Sequence, residues 1–264
     1  MAGPPKSPFV AETARYRVSY GLLGEVATAT VTFAPVTGQP TVRATGTGEG
    51  AVLGFGKTKK RFESEFNTQT QQANKWTATR TTGSDIVVDT AEQAKAGVVS
   101  NLRKRAGQPD QAETLSRATA VLDPLGLLLR LRTAPLNQPS SFEILDGRAL
   151  WIVTLSAARP TQERLLQLEG RAEPIYWDGS PDKERTARSF SLYLSNDAFR
   201  TPTRLTVPFG MGEARAELVQ LSRPGTGKRS WHMRDWFPSL RLLSARDQAT
   251  GWSAQKAGPS GRAP

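Results

Sequence analysis

The sequence predicts a mainly β fold with a single helix. Apolar and polar residues alternate along most of the first hundred positions and again between about residues 141 and 221, the period of two that is typical of half-buried strands. Only residues 123–132 carry a convincing helix pattern. A chain with roughly a dozen short strands and one helix is expected to form a strand-dominated fold.

The alternation locates the individual strands. Residues 16–20 and 27–33 form two strands around an interruption at residues 21–24, and the Asp146-Gly147 pair between apolar runs predicts a hairpin turn. The glycine-rich stretches 46–50 and 54–59 lack the spacing of a phosphate-binding loop, so we expect them to be hairpin turns. Further strands are predicted at residues 41–49, 59–66, 76–82, 86–88, 141–145, 149–156, 165–173, 189–195, 203–208 and 214–221.

Two segments depart from this alternation. Residues 92–117 are rich in Ala, Gln, Lys, Arg and Glu, which predicts a long solvated loop or a weakly helical insertion. In residues 123–132, Asp123 suits the N-cap, Pro124 suits the first helical position, and the leucines that follow form a broad apolar surface. The pair Ala134-Pro135 then ends the helix.

Composition indicates one main domain with a basic tail. The 264 residues are 38% hydrophobic, which suffices for a core, and no apolar run is long enough to cross a bilayer. We expect an N-terminal extension at residues 1–14, a β-rich domain at residues 15–221 and a basic, Trp-containing tail at residues 222–264. The tail is interpreted either as a segment that docks on a membrane surface or a partner, or as an unstructured extension.

The residues that most enzymes need are missing or scattered. His232 is the only histidine and the chain has no cysteine, which argues against zinc sites, thiolate nucleophiles and a Ser-His-Asp triad. The sequence therefore predicts no enzyme, no cofactor and no metal, and a polysaccharide-active enzyme with two facing carboxylates stays the less favoured alternative. The aspartates considered stand where turns are expected, which suits capping: Asp123, Asp146, Asp178, Asp182 and Asp197.

The strongly basic charge favours anionic neighbours. The formal net charge is +11, and basic stretches lie at residues 57–61 and 103–105. No nucleic-acid-binding motif accompanies them, so nucleic acid is not expected as a partner. Solvated surface charge explains the same composition equally simply.

A group of aromatic residues is the best candidate for a binding surface. Trp and Tyr on inward strand positions can line a cleft, or can simply fill the core between sheet and helix. Arg130 and Arg132, at the end of the helix, are interpreted either as contacts for an anionic headgroup or as plain solvent-facing charges. The predicted binding residues are Leu127, Arg130, Trp151, Tyr176, Trp177 and Tyr193, with Phe190 in the same aromatic group.

Three segments in order resemble a bacterial family catalogued as domain of unknown function 3108. They are YRVSYGLLG at residues 16–24, DPLGLLLRLR at residues 123–132 and LYLSNDAFRTP at residues 192–202. The resemblance implies an exported protein with an open or spiral antiparallel β-barrel, similar in outline to periplasmic lipoprotein carriers, wrapped around one central helix. A strongly curved sheet leaves a concave apolar face that such a helix can cover. The family supplies no catalytic residue to carry over.

These observations together predict a non-enzymatic periplasmic or envelope protein that binds a lipid, an acyl chain or an extended peptide in its curved sheet. The alternative is a protein-interaction scaffold that recruits an envelope partner through its tail or a strand edge. The N-terminus lacks a basic region followed by an apolar stretch, so we expect that a signal peptide has been removed, and a cytoplasmic protein is the alternative.

Overall fold

The structure is a computed structural model that describes residues 8–52, 56–210, 212–224 and 229–230. The predicted tail beyond residue 230, including His232, lies outside the described residues. One 3-10 turn, Gly21–Leu23, and one helix, α1 Pro124–Leu131, accompany the strands. The strands are β1 Glu12–Tyr20, β2 Glu25–Pro35, β3 Thr41–Val52, β4 Gly56–Asn67, β5 Gln72–Thr82, β6 Asp85–Lys95, β7 Val98–Arg105, β8 Gln111–Ser116, β9 Val121–Leu122, β10 Ser140–Asp146, β11 Ala149–Leu155, β12 Arg159–Pro160, β13 Leu165–Ile175, β14 Arg188–Ser195, β15 Pro202–Phe209, β16 Gly212–Ser222 and β17 Arg229–Ser230.

The strands form one large curved sheet that does not close. Strand β1 lies in its middle and pairs with β2 on one side and with β16 on the other. From β2 the sheet continues strand by strand to β8, and from β16 it continues through β15, β14, β13, β11 and β10 to β9. All neighbours are antiparallel except β9 and β10. In the described part of the chain β8 and β9 do not pair, so the predicted open antiparallel barrel around one helix is confirmed.

The glycine-rich stretch at residues 46–50 is not the predicted hairpin turn, because it lies inside β3. Its glycines allow close packing. A Cβ on Gly50 would lie 2.4 Å from the Cβ of Ala27 on β2, and one on Gly46 would lie 3.2 Å from Cδ2 of Leu125 on the helix. Gly46 therefore lets the helix approach the sheet, and Gly50 lets β2 and β3 lie close together.

The prediction of a loop or helix at residues 92–117 is wrong, because this segment supplies the end of β6 and all of β7 and β8. The apolar alternation is missing because polar side chains occupy buried positions and find partners there. Gln93 accepts from the backbone N–H groups of Gly97, at 3.3 Å, and Val121, at 2.9 Å. Buried Asn101 donates to the carbonyl of Gly147, at 3.3 Å. Hydrogen-bonded polar groups can thus take the place of apolar ones at these buried positions, although Oδ1 of Asn101 is buried without a partner.

Helix α1 begins as the sequence predicts. Asp123 is the N-cap, and its Oδ1 accepts from the backbone N–H of Leu125 at 2.9 Å and of Gly126 at 3.2 Å. Ser64 on β4 donates to Oδ2 of Asp123, at 2.6 Å, and so ties the cap to the sheet. Among the described residues, no helix has the length and apolar character needed to cross a bilayer.

The hydrophobic core combines residues of the curved sheet and of the helix. Both faces of the β10–β11 hairpin contribute, since the consecutive residues Ile144 and Leu145 are both buried. The largest fully buried side chains of the core include Phe33, Phe66, Leu115, Leu129, Leu131, Leu145, Leu150, Leu168 and Leu194.

A buried ionic cluster joins β1 to the end of the helix and to β16. It consists of Glu12, Arg132, Thr201 and Arg223. Glu12 accepts from Arg132 at 2.7 Å, from Arg223 at 2.6 Å and from the Thr201 hydroxyl at 3.2 Å. The side chains of Glu12 and Arg132 are both 0% exposed. Arg132 is therefore neither a rim contact for a headgroup nor a solvent-facing charge, in contrast to both sequence interpretations.

The same region brings together the three segments on which the family resemblance rests. The hydroxyl of Tyr16 on β1 donates to the carbonyl of Pro202, at 2.9 Å. Arg200 donates to the carbonyls of Leu131, at 3.0 Å, and Ala134, at 2.5 Å. The carbonyl of Leu131 is the last of the helix and has no intrahelical partner, and that of Ala134 lies just beyond the helix end. The three segments thus form one contact region around the helix C-terminus.

The substitution Glu12→Gln is expected to lower the free energy of unfolding by about 3 kcal/mol, because it leaves buried guanidinium groups without their carboxylate. Urea denaturation of the purified variant measures this change. Glu25→Gln, at an exposed position on β2, is the matched control and is expected to stay within about 0.5 kcal/mol of the wild type. Equal effects of the two substitutions would contradict the role assigned to the buried ionic cluster.

Asp123 makes stability depend on pH. Burial raises the pKa of its carboxyl above the ordinary value. The stability that this carboxyl contributes is therefore fully present below the ordinary pKa, about 4, and is lost as the pH rises through the folded-state pKa. Asp123→Asn removes the titration and keeps a capping oxygen. We expect the free energy of unfolding of the wild type, measured relative to Asp123→Asn, to fall as the pH rises above about 4.

Asp123→Ala serves as the control because it removes the cap as well as the charge. It is expected to cost about 1–2 kcal/mol relative to Asp123→Asn at every pH. A difference between wild type and Asp123→Asn that rises with pH would contradict this account.

Candidate binding groove

Side chains, rather than a backbone ladder, connect β8 at one end of the open sheet to the β10–β11 hairpin near the other end. We call this junction, between β8 and the β10–β11 hairpin, the seam. Arg148 in the hairpin turn forms an ion pair with Glu113 on β8 and donates to Oε1 of Gln111 at 2.5 Å. Next to it, Arg117 donates two hydrogen bonds to Glu143 on β10, at 2.7 and 2.9 Å. The seam is thus closed largely by ion pairs.

A groove with a volume of about 620 Å³ lies along the seam. We call it the seam groove. Its walls combine two aromatic rings, a hydroxyl group and three charged side chains. The lining residues are Arg103, Glu113, Thr114, Arg148, Tyr176 and Trp177.

The aromatic wall is positioned by the loop that follows β13. The backbone N–H of Tyr176 donates to the carbonyl of Ser180, at 2.8 Å, which folds the loop back on itself. Asp178 accepts from the backbone N–H of Ser180 at 2.8 Å, and Gly179 takes φ +90°. The indole N–H of Trp177 donates to the carbonyl of Arg148, at 3.1 Å. Trp177 is therefore anchored to the hairpin turn, while Tyr176 is 40% exposed.

The charges of the opposite wall are balanced. Arg103 donates two hydrogen bonds to Asp89, at 2.7 and 2.9 Å. Burial, and next the charge of Arg103, lower the pKa of Arg148, while Asp89 opposes this effect. Each guanidinium group already has a carboxylate partner, so the groove is no strongly charged anion site. Its walls instead suit a neutral, partly apolar ligand that packs against aromatic rings.

A free strand edge borders the groove. In the described part of the chain β8 pairs with β7 and with no strand on its other side. Glu113 and Thr114 of this strand line the groove. The backbone N–H and C=O groups on such an edge can hydrogen-bond to an extended chain.

The structure brings together only two of the predicted binding residues, Tyr176 and Trp177. Trp151 lies on β11 with the guanidinium of Arg185 5.1 Å from its ring, and it packs against the core. Tyr193 lies on β14 beneath the guanidinium of Arg204, at 3.8 Å.

The other predicted residues lie elsewhere. Leu127 is on the helix and is partly buried against the core, as is Phe190 on β14. Arg130 is in the last turn of the helix and partly exposed. None of these three lines the seam groove.

Sequence reasoning missed the polar wall. Arg103, Glu113 and Thr114 belong to the segment that was predicted as a loop, so no strand face was available on which to place them. The position of Arg148 could have been predicted, because the Asp146-Gly147 turn places the next residue at the tip of a hairpin. Among the described residues no cluster of three or more His, Cys, Asp or Glu side chains is arranged to hold a metal ion.

Removing Arg148 should loosen the seam. We expect Arg148→Met to raise the amide hydrogen-exchange rates of residues 111–116 by about threefold to tenfold, because β8 loses its ion pair to the hairpin. Exchange detected by mass spectrometry measures this. Arg171→Met is the control, since it removes the exposed Arg171–Glu173 pair on β13, whose atoms lie 2.7 Å apart. Unchanged exchange in β8 would show that the seam does not depend on Arg148.

Comparisons with known proteins agree with the fold. A search among curated proteins finds no match. Among solved structures, the chain is similar to the crystal structure of a β-barrel-like protein of domain of unknown function DUF1849 from Brucella abortus. The two share 12% sequence identity with a TM-score of 0.54, and the match covers 83% of this chain and 99% of that one. At this identity the likeness shows the fold alone.

A family model gives the closer assignment. The model described as "Protein of unknown function (DUF3108)" matches residues 15–219, which include the curved sheet, the helix and the seam. This confirms the family resemblance of the three sequence segments. The chain belongs to the DUF3108 family.

Proposed function

We propose that this protein is a non-enzymatic binding protein of the bacterial periplasm and that the seam groove holds its ligand, an extended peptide segment. The observation that carries the proposal is the free edge of β8 beside the rings of Tyr176 and Trp177. A peptide in extended conformation can pair with the strand edge and place an apolar side chain against the rings.

An acyl chain is the second candidate ligand. The aromatic wall suits it, and the charge balance of the opposite wall does not oppose it. An acyl chain has no backbone N–H or C=O groups, however, so it would leave the edge of β8 unpaired. The free edge therefore favours the peptide.

The non-enzymatic part of the proposal is supported by what the carboxylates do. Asp178, Asp182 and Asp197 each accept hydrogen bonds from backbone N–H groups of the next few residues, which is a turn-forming role. Glu113 and Asp89 are paired with arginines. The periplasmic part of the proposal rests on the resemblance of the three sequence segments to an exported family.

The substitution Trp177→Ala is expected to weaken ligand binding by about tenfold or more, because it removes an aromatic wall of the groove. Peptides selected from a random phage-displayed library against the full chain provide the probe, and their affinities are measured by calorimetry. Tyr193→Ala, an aromatic deletion outside the groove, is the matched control and should leave the affinity unchanged.

Two further readouts separate the candidate ligands. A bound peptide should slow amide exchange in β8, whereas an acyl chain should not. Native mass spectrometry of protein purified from its own host detects co-purified ligands of either class. If no peptide is selected, or if selected peptides bind Trp177→Ala as tightly as the wild type, the peptide proposal fails. Co-purified lipid released by Trp177→Ala would favour the acyl chain.

A further inference from the structure

Three large apolar side chains project from adjacent turns at one end of the sheet. Leu22 is fully exposed, at 106%, Leu23 is 53% exposed and Phe209 is 50% exposed. The two leucines lie in the turn between β1 and β2, and Phe209 ends β15 next to the turn into β16. Because β1 pairs with both β2 and β16, these turns are neighbours. We call Leu22, Leu23 and Phe209 the apolar tip.

The backbone holds the apolar tip in this exposed arrangement. The N–H of Tyr20 donates to the carbonyl of Gly24, at 3.0 Å, and closes the turn around Leu22 and Leu23. Gly21 and Gly24 have φ angles of +44° and +70°, which side-chain-bearing residues rarely adopt. The leucines are therefore displayed by a tight turn rather than folded back against the sheet.

Tyr20 joins the two turns to each other. Its hydroxyl donates to the carbonyl of Phe209, at 2.9 Å. The two rings meet edge to face, with centroids 6.2 Å apart and an interplanar angle of 72°. Since one side chain fixes both turns, the apolar tip is a preformed surface and would lose little conformational entropy on binding.

Other exposed apolar side chains lie toward the same end. Ile86, 48% exposed, stands at the start of β6, and Tyr176 follows the end of β13. The strand registers place Ile86 and Tyr176 at the same end of the sheet as the β1–β2 turn. Of the six exposed large hydrophobic residues in the described part of the chain, only Leu205 lies in the middle of a strand.

Basic groups stand beside the apolar tip. The guanidinium of Arg188 lies 4.8 Å from the ring centroid of Phe209. Lys57 is exposed near the start of β4, two strands from the leucine turn. Two acidic residues also lie near the apolar tip: Glu25, which is exposed after the turn, and Glu213 on β16, which forms an ion pair with Arg215. The chain as a whole carries a net charge of +11. Apolar side chains bordered by basic ones are the combination that binds an anionic lipid surface.

We propose that the apolar tip inserts into an anionic lipid surface, with Leu22 and Leu23 below the headgroups and Arg188 among the lipid phosphates. The proposal is independent of the ligand assigned to the seam groove. Insertion of the apolar tip would also turn Tyr176, which lies at the same end of the sheet, toward the membrane.

The absence of cysteine allows a direct test. Leu22→Cys introduces the only thiol in the chain, which can be labelled with the environment-sensitive fluorophore NBD. On addition of vesicles made of equal parts phosphatidylcholine and phosphatidylglycerol, we expect its emission to shift to the blue and to brighten. Leu205→Cys, labelled in the same way, is the matched control and should not respond.

Vesicle co-sedimentation of unlabelled full chain gives the second measurement. The double substitution Leu22→Ser with Leu23→Ser is expected to weaken vesicle binding by about tenfold or more, because less apolar surface enters the membrane. Leu205→Ser should bind like the wild type, and Glu25→Lys should bind more tightly. Since Leu22 and Leu23 are exposed, the fold and the groove affinity for selected peptides should be unchanged.

Three outcomes would overturn the proposal. The first is wild-type protein that does not sediment with the vesicles. The second is an equal fluorescence response from positions 22 and 205, which would indicate adsorption without orientation. The third is a lipid-independent dimer that the double substitution abolishes, because a second copy of the chain would then cover the apolar tip.

Discussion

Glu12 is the residue on which the arrangement of the fold depends most. Its carboxylate binds Arg132 at the end of the helix, Thr201 before β15 and Arg223 after β16. These groups are far apart in sequence and meet only when the two halves of the sheet join at β1. Because charges buried without partners are costly, the ionic cluster favours this arrangement over others that would bury a similar amount of apolar surface.

The ionic cluster and the seam occupy different parts of the molecule and stabilise it in different ways. Around Glu12 the polar groups surround the helix end and are fully buried except for Arg223, whose side chain is 13% exposed. At the seam the ion pairs are partly exposed, so solvent screens them and each contributes less. The ion pairs at the seam therefore hold the sheet together less tightly than the cluster around Glu12 does. Binding sites are commonly drawn from such regions, because a ligand can enter without disturbing the core.

The sequence predicted the elements whose signals are local. The β1–β2 pair follows from alternation, and the helix follows from Asp123, Pro124 and the leucines after them. Strands β7 and β8 were not predicted because polar Asn101, which is buried, and Arg103, which is partly buried, interrupt the apolar alternation. Their partners Gly147 and Asp89 are distant in sequence or on another strand. Of the groove residues, Tyr176 and Trp177 were predicted from the sequence as part of an aromatic binding surface. Glu113 and Arg148 were not predicted, because they come together only across the seam. The apolar tip was missed because two leucines between glycines look like an ordinary turn.

The pairing of β1 with β16 has a consequence for how the chain acquires its structure. Thr13 lies opposite Ser222, so the central strand pair joins the first and last long strands of the sheet. During synthesis, β1 can pair with β2 at once, but its other edge stays open until residue 222 has emerged. Contacts of such long sequence separation form late and slowly. A nascent chain of this protein therefore spends most of its synthesis without the β1–β16 ladder, so the two halves of the sheet join only near the end of synthesis.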